Sequence, residues 1–324
     1  PNDEFADYYR WDRGNFGFEL KSSDMLPKEY AREALARGLA IEADIGANPF
    51  KFGQIGSTDS HTSLATTRED NYFGKATPGE PGTGSERYEE YIVQPAIIGE
   101  EVAIQHYETL SSGLAAAWAR ENTREAIWDA FLRKEVYATT GSRMVVRVFA
   151  GWDFEADEVH RSDFAAEGYD RGVPMGADMF AGPEGAAPTF MIRALRDPDG
   201  ANLDRIQMVK GWVGADGEPQ TKVFDVSWSG DRKPDADGKL PPVGSTVEGA
   251  EFTNTIGAAM LGGYWVDPEF DPAQRAYYYV RVLEIPTPSW LAYDKAFYGN
   301  IDLPEDAVMV QQERAYTSPI WYTP

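Results

Sequence analysis

The sequence predicts a mixed α+β protein with two parts. Residues 1–143 combine helical segments with buried strands, and residues 144–324 are expected to form a β-rich antiparallel sandwich. A strand–helix–strand pattern within about 30 residues supports the first part. Alternating apolar and polar segments between turn signals support the second. We expect the boundary where the pattern changes, near residues 142–155.

The first strong element is a helix that begins after residues 22–24, where Ser and Asp side chains offer N-caps. Leu35 and Leu39 recur at helical spacing, and Gly38 marks the expected end of the helix. The short apolar segment 52–56 follows and is expected to be a buried strand. A polar loop at the carboxyl end of such a strand is a common place for a functional site.

The next element is a strand–helix–strand unit. Residues 113–119 and 136–139 are apolar enough for buried strands, and a helix is expected between them over residues 124–134. Asn122 or Thr123 provides the N-cap of that helix. The spacing predicts a βαβ unit, in which the two strands run parallel.

The later part of the chain has a different pattern. Apolar and polar segments alternate here, and they include residues 144–149, 190–195, 206–213, 222–228, 258–265 and 277–283. Turn clusters rich in Asp and Gly separate several of them, at 197–200, 215–217 and 235–238. Strands with this punctuation indicate an antiparallel sandwich.

Charge and composition exclude several classes of function. The chain has 53 acidic and 30 basic residues, a formal net charge of -23, so binding to nucleic acid or to anionic membranes is disfavoured. Cysteine is absent, which excludes disulfides, zinc–thiolate sites and a thiol nucleophile. We also expect no membrane span, because no apolar run approaches about 18 residues.

The loop after residue 56 contains the sharpest candidate for chemistry. Asp59 and His61 are separated by one residue and follow the predicted strand, so both side chains can lie on one side of the backbone. A carboxylate and an imidazole suit a divalent metal ion. The alternative is a polar turn with an incidental histidine, since short motifs often match by chance.

The second candidate is the segment that follows the strand at residues 136–139. There the Thr140 hydroxyl and the Arg143 guanidinium could orient an anionic substrate, because arginine presents a fork that matches phosphate or sulfate. The alternative is a connection between strands in which Arg143 pairs with one of the many carboxylates. The spacing alone leaves both interpretations open.

Several longer motifs carry a resemblance to a known family. They are NPFKFGQIGSTDSHT at 48–62, EDNYFGK at 69–75, the segment 113–127, VYATTG at 136–141 and ERAYTSPIWY at 313–322. With these motifs the chain resembles the DUF3604 family, a group within the PHP superfamily of metal-dependent hydrolases. The resemblance covers nearly the whole chain.

The resemblance implies a PHP-like distorted β/α barrel that holds two or three divalent metal ions. Asp59 and His61 match the late D-x-H motif of that superfamily, whereas the early H-x-H and T-D-H motifs are not in this sequence. The chain therefore resembles the C-terminal portion of such a protein. Residues 1–143 would be part of the barrel, and residues 144–324 the sandwich, with a C-terminal tail that returns to the barrel.

The expected function is metal-dependent hydrolysis of phosphate or sulfate esters, with a metal-activated water as the nucleophile and an active site that this chain contains only in part. The sequence does not distinguish which divalent ion is bound, and Zn, Mn, Fe and Ca are all compatible with it. The expected partners are a small anionic ester and the N-terminal half of the same protein. The alternative is a carbohydrate-binding or structural accessory module, for which Trp212, Trp228, Trp265 and Trp290 could line a sugar-binding face. A periplasmic or secreted location is expected, with the cytoplasm left open.

Overall fold

The computed structural model describes residues 13–14, 19–77, 80–94, 99, 102–111, 113–299 and 301–324. Its α-helices are α1 (Ala31–Ile45), α2 (Glu86–Glu89), α3 (Arg124–Leu132), α4 (Phe164–Arg171) and α5 (Trp290–Tyr298). Short 3-10 helices lie at Leu26–Lys28, Glu69–Asn71, His106–Glu108 and Ala156–His160. Among these described residues, no helix combines the length and the apolar character needed to cross a bilayer.

The strands are β1 (Tyr91–Val93), β2 (Ile104–Gln105), β3 (Leu114–Ala117), β4 (Val136–Thr139), β5 (Val145–Gly151), β6 (Gly172–Pro174), β7 (Asp178–Phe180), β8 (Thr189–Leu195), β9 (Leu203–Val213), β10 (Pro219–Trp228), β11 (Met260–Val266), β12 (Ala276–Glu284), β13 (Thr287–Pro288), β14 (Val310–Gln311), β15 (Arg314–Thr317) and β16 (Ile320–Thr323).

The largest sheet has the strand order β10-β9-β12-β15-β4-β3, and β16 joins it by pairing with β12 and β7. At its centre β9 and β12 run antiparallel, with Ala276 opposite Trp212 and Val282 opposite Ile206. β15 hydrogen-bonds to both β12 and β4. Strands from both sides of residue 143 therefore lie in one sheet, while the division into two domains there stays a prediction.

A second antiparallel sheet, β11-β8-β5-β6, shares a core with the first. Val148 and Ile192 from this sheet lie in one buried cluster with Met208 and Val280 from the large sheet. The facing surfaces of the two sheets form this common core. The mixed α+β class and the antiparallel, sheet-rich character are confirmed. The described residues form no closed barrel. The PHP-like barrel that the family resemblance implies stays a prediction.

Helix α1 packs on the outer face of the large sheet, and its position differs from the prediction at both ends. Leu35 and Leu39 are buried against β9 and β12, as their spacing predicted. Gly38, however, lies within the helix. A glycine is needed there because the Asn48 side chain occupies the space that a Cβ atom would take. The helix ends instead at Gly46, which adopts the left-handed conformation with φ 76°.

The predicted parallel βαβ unit is wrong. Helix α3 and its Thr123 N-cap are present, with the Thr123 hydroxyl accepting from the Ala126 amide. But β3 and β4 pair antiparallel, with Leu114 opposite Thr139. The Trp118 amide donates to the Glu135 carbonyl, so the chain returns to the same end of β3 that it left. A parallel crossover would have to return to the other end. Helix α3 is therefore an excursion within a hairpin.

The predicted strand at residues 52–56 is also wrong, because this segment has no strand assignment. It does run beside β3: the Gly56 amide donates to the Leu114 carbonyl, and the Gly113 amide donates to the Ser57 carbonyl. A Cβ atom on Gly56 would lie 2.7 Å from the Thr139 carbonyl oxygen. Glycine at this position lets the segment approach the ends of β3 and β4, which places the following polar loop at that edge of the sheet.

Candidate functional site

A cavity of about 410 Å³ opens at the end of β4. The turn after β4 supplies Ser142 and Arg143 to its wall, and Glu284 comes from the end of β12. Glu313, just before β15, and the segment 67–70 line it as well. The loop after β8 completes the wall with Asp197 and Asp199. Strand ends that are distant in sequence thus bring polar side chains together around one cavity.

Arg143 is held in this wall by two aspartates. Its Nε donates to Asp197 Oδ2 at 3.1 Å and its Nη2 to Asp197 Oδ1 at 3.0 Å, while Asp199 also accepts from Nη2. The backbone amide of Arg143 donates to Asp197 at 2.8 Å. These hydrogen bonds raise the pKa of Arg143 further above its ordinary value. Within the described residues, its Nη1 makes no hydrogen bond, so this edge of the guanidinium is available to a ligand.

Two buried carboxyl groups stand close to the turn after β4. The Ser142 hydroxyl donates to Glu284, and the Thr140 hydroxyl donates to Glu313. Burial raises the pKa of Glu284 to about 8, with the Ser142 hydrogen bond opposing the shift. Burial likewise raises the pKa of Glu313 to about 8, and the charge of Glu69 adds to it. Both groups therefore carry a proton at neutral pH.

Thr140 lies behind the cavity and positions Glu313. Its hydroxyl accepts from the Arg314 amide at 2.8 Å while it donates to the Glu313 carboxyl. The Gln311 amide donates to the other Glu313 oxygen at 2.9 Å. The structure thus brings Thr140 and Arg143, the two residues predicted for substrate contact, to the same cavity, although Thr140 reaches it through Glu313.

A third carboxyl group and a second arginine complete the polar wall. Glu69 accepts from the Ser111 hydroxyl and from the Trp290 amide, both at 2.5 Å, and burial of the carboxyl group raises its pKa. Its neighbour Arg68 is mostly exposed and pairs with Asp70 through Nε and Nη2, at 2.8 and 2.5 Å. Like Arg143, Arg68 has no hydrogen bond at Nη1 within the described part of the chain.

Asp59 and His61 lie on a separate, exposed loop and do not line the cavity. Their side chains are 67% and 62% exposed. The Lys75 ammonium pairs with the Asp59 carboxylate and donates to the Asp59 carbonyl at 2.7 Å. The His61 amide in turn donates to the Lys75 carbonyl at 2.8 Å. Asp59 itself adopts a left-handed conformation with φ 45°.

The two side chains fit a divalent ion in type but not in number. His61 Nδ1 lies 2.9 Å from the Asp59 carbonyl oxygen, which can only accept, so Nδ1 is the protonated nitrogen. This leaves the Nε2 lone pair as the donor to a metal, the arrangement usual for ligating histidines. In the described segments, however, no group of three or more His, Cys, Asp or Glu side chains could hold a metal ion. The loop therefore offers only two ligands of a metal centre, and Lys75 would have to release the Asp59 carboxylate before it could bind a metal ion.

The family model whose description reads "Protein of unknown function (DUF3604)" matches residues 1–324. The chain belongs to this family. No curated protein and no solved structure matches the sequence. The DUF3604 resemblance carried by the sequence motifs is confirmed, whereas the placement of the family in the PHP superfamily stays a prediction.

The three buried carboxyl groups of this DUF3604 chain are not predicted by its sequence pattern. Glu69 and Glu313 stand at the start of two motifs that carried the family resemblance, and Glu284 directly follows the apolar run of β12. An acid at the end of a buried strand was the available signal. In a chain with 53 acidic residues, that signal does not single out these three.

The tryptophans considered as a sugar-binding face are mostly core residues. Trp290 is buried against Tyr72 and Tyr88. Trp212 and Trp265 are partly buried and pack against the core between the two sheets. Trp228 is also partly buried, and its Nε1 donates to the Arg232 carbonyl at 2.8 Å. Their placement favours the alternative interpretation, in which aromatic side chains at alternating positions of a β-rich chain serve packing.

Proposed function

We propose that this DUF3604 chain takes part in metal-dependent hydrolysis of phosphate or sulfate esters, and that the cavity at the end of β4 receives the anionic group. The observation that carries the proposal is the pair of guanidinium groups in its wall. Arg68 and Arg143 are each fixed by a bidentate pair with an aspartate, and each keeps Nη1 unengaged among the described residues. Such preorganised donors suit a tetrahedral oxyanion.

The charge balance of the cavity also supports an anionic ligand at neutral pH. Two arginines face six acidic residues in the wall, and an anion would be repelled if all six were ionised. Burial raises the pKa of Glu284 and of Glu313 to about 8, so these two are neutral, and burial also raises the pKa of Glu69. The three aspartates of the wall are already paired with the arginines. The neutral carboxyl groups then act as additional hydrogen-bond donors.

The chain's own residues provide binding and proton transfer in this proposal. Arg68 and Arg143 would hold the nonbridging oxygens of the ester through Nη1. Glu284, protonated at neutral pH and part of the wall, can give its proton to the leaving oxygen. Asp59 and His61 would hold one metal ion of the PHP-like centre, together with ligands from outside the described residues. A bound metal ion supplies a water of lowered pKa as the nucleophile.

The test is an activity and metal measurement on the natural protein. We expect hydrolysis of p-nitrophenyl phosphate or p-nitrophenyl sulfate after loading with Zn, Mn, Fe or Ca. The Arg143→Gln variant should lose roughly 100-fold in kcat/KM. The matched control is Arg120→Gln, since Arg120 is exposed and forms no ion pair in the described structure. Thermal melting of each variant separates loss of activity from loss of folding.

The proposed metal ligands Asp59 and His61 have a separate test. The double variant Asp59→Ala/His61→Ala should bind less divalent metal than the wild-type protein, as measured by elemental analysis after gel filtration. A double variant that retains the full metal content and activity would show that this loop is not a ligand. The accessory-module alternative predicts no hydrolysis by any metal-loaded form and retention of the protein on immobilised polysaccharide.

A further inference from the structure

The cavity at the end of β4 is larger than the anionic group that it is proposed to receive. Its volume of about 410 Å³ lies within the range of roughly 300–1,000 Å³ that is usual for pockets that bind small organic molecules. A phosphate or sulfate group held at Nη1 of Arg68 and Arg143 fills only part of this space. The rest of the lining is therefore available to the organic part of the ester.

The two arginines stand near the same pair of aspartates, which gives the anionic group one place in the cavity. Hydrogen bonds to Asp70 raise the pKa of Arg68, and the charges of Asp199 and Asp197 add to this shift. The same two aspartates accept hydrogen bonds from Arg143. The organic part of the ester must then lie against the remaining lining residues.

Two aromatic side chains belong to this remaining lining. Tyr293 on α5 is half-buried, and burial raises its pKa to about 12, with the nearby charge of Asp70 adding to the shift. Phe252, also half-buried, comes from the connection between β10 and β11. That connection is fixed to the loop after β8, because Asn254 Nδ2 donates to the Gly200 carbonyl at 3.2 Å. Each aromatic side chain thus stands next to a segment that holds one of the arginines.

The cavity also contains hydroxyl groups that have no partner within the described part of the chain. Thr67, Thr287 and Tyr293 line it, and their hydroxyls make no hydrogen bond to any described residue. An alkyl or aryl group would displace water from these hydroxyls without replacing its hydrogen bonds, which costs free energy. A sugar ring suits such a lining better, because it has an apolar C–H face for an aromatic ring and hydroxyls for the polar groups.

Building on the function proposed above, we propose that the ester is a sulfated or phosphorylated sugar whose ring contacts Phe252 and Tyr293. The sugar hydroxyls would then exchange hydrogen bonds with the free hydroxyls of Thr67, Thr287 and Tyr293. Sulfate and phosphate share the tetrahedral geometry that the arginine forks match, so the lining fits either ester. The few placed polar groups beside apolar surface are the usual means by which a pocket fixes the orientation of its ligand.

The experiment is isothermal titration calorimetry on the full chain with glucose-6-sulfate and glucose-6-phosphate, each compared with the ethyl ester of the same anion. Ionic strength is held constant, and no metal is added, so that binding is measured without turnover. At least one sugar ester should bind about ten-fold or more tightly than its ethyl counterpart. Tyr293→Ala and Phe252→Ala should each weaken the sugar ester by about three- to ten-fold and leave the ethyl ester unchanged. Tyr293→Phe, which keeps the ring, should lose less.

The matched control is Phe297→Ala, because Phe297 lies on the same helix as Tyr293, is 81% exposed and does not line the cavity. It should bind both kinds of ester as the wild type does. If Tyr293→Ala fails to melt cooperatively, Phe252→Ala carries the test.

The possible outcomes separate this inference from the proposed function. Equal affinity for the sugar and ethyl esters overturns the sugar inference and leaves the proposed ester hydrolysis in place. Unchanged sugar-ester binding in both Tyr293→Ala and Phe252→Ala overturns it as well. Absence of binding by all four esters refutes both proposals. Preferential binding of a sugar ester without hydrolysis by any metal-loaded form supports the sugar site and refutes the proposed hydrolysis.

Discussion

Replacing Glu284 by glutamine should remove a large part of the pH dependence of stability. Glu284 is 1% exposed, and burial raises its pKa from the ordinary 4.5 to about 8. The folded protein therefore keeps a proton that the unfolded chain releases. Stability from this group is fully present below the unfolded pKa, and it is lost as the pH rises through about 8.

The size of this effect follows from the two pKa values. A pKa difference of one corresponds to about 1.4 kcal/mol. Between pH 5 and pH 8 the wild-type protein should therefore lose on the order of 4 kcal/mol of unfolding free energy through Glu284 alone. Glutamine has no such titration, and it can still accept from the Ser142 hydroxyl.

The assay is urea unfolding of the wild type and Glu284→Gln at pH 5, 6.5 and 8. The two should have similar stability at pH 5, and the variant should be the more stable protein at pH 8. Glu313→Gln should behave similarly, and the double variant should gain less than the sum because the charge of Glu313 contributes to the raised pKa of Glu284. Glu218→Gln, at an exposed position in the turn after β9, is the control. Equal losses between pH 5 and pH 8 in the wild type and Glu284→Gln would refute the reasoning.

Three further substitutions test the fold around these sites by urea unfolding. Lys210→Met should destabilise the protein by about 3–5 kcal/mol, because it leaves the Asp267 carboxylate buried without its ion pair. Thr123→Ala should lose about 1 kcal/mol with the N-cap of α3, and Thr123→Ser should keep most of it. Gly56→Ala should lose about 1–3 kcal/mol, because the new methyl group meets the Thr139 carbonyl.

The outcomes that contradict these expectations differ between the three. Asparagine at position 267 should restore part of the stability of Lys210→Met, and no restoration would mean that packing rather than charge is lost. A serine at position 123 that is as unstable as alanine would exclude the capping hydrogen bond. For Gly56→Ala, an unchanged unfolding midpoint would mean that the loop carrying Asp59 can move away from β4 without loss of stability.

Short-range patterns in the sequence determined several elements. Apolar segments between turn signals identified β9 and β12, and the structure buries both faces of these central strands. Thr123 was recognised as a cap since its hydroxyl satisfies an amide three residues away. The family motifs identified the DUF3604 membership along the whole chain. The strand and cap signals depend on residues close together in the chain, and the family motifs depend only on the order of the residues.

The tertiary structure alone decided the direction of β4, the insertion of β15 between β12 and β4, and the cavity at their ends. The reason is physical. Strand direction depends on which end of the sheet the chain returns to, and local periodicity is the same in either direction. The raised pKa values of Glu69, Glu284 and Glu313 arise from burial by segments far apart in sequence. Asp59 and His61 could be predicted as a ligand pair from the sequence because only one residue separates them, whereas the burial of the three glutamates depends on the fold.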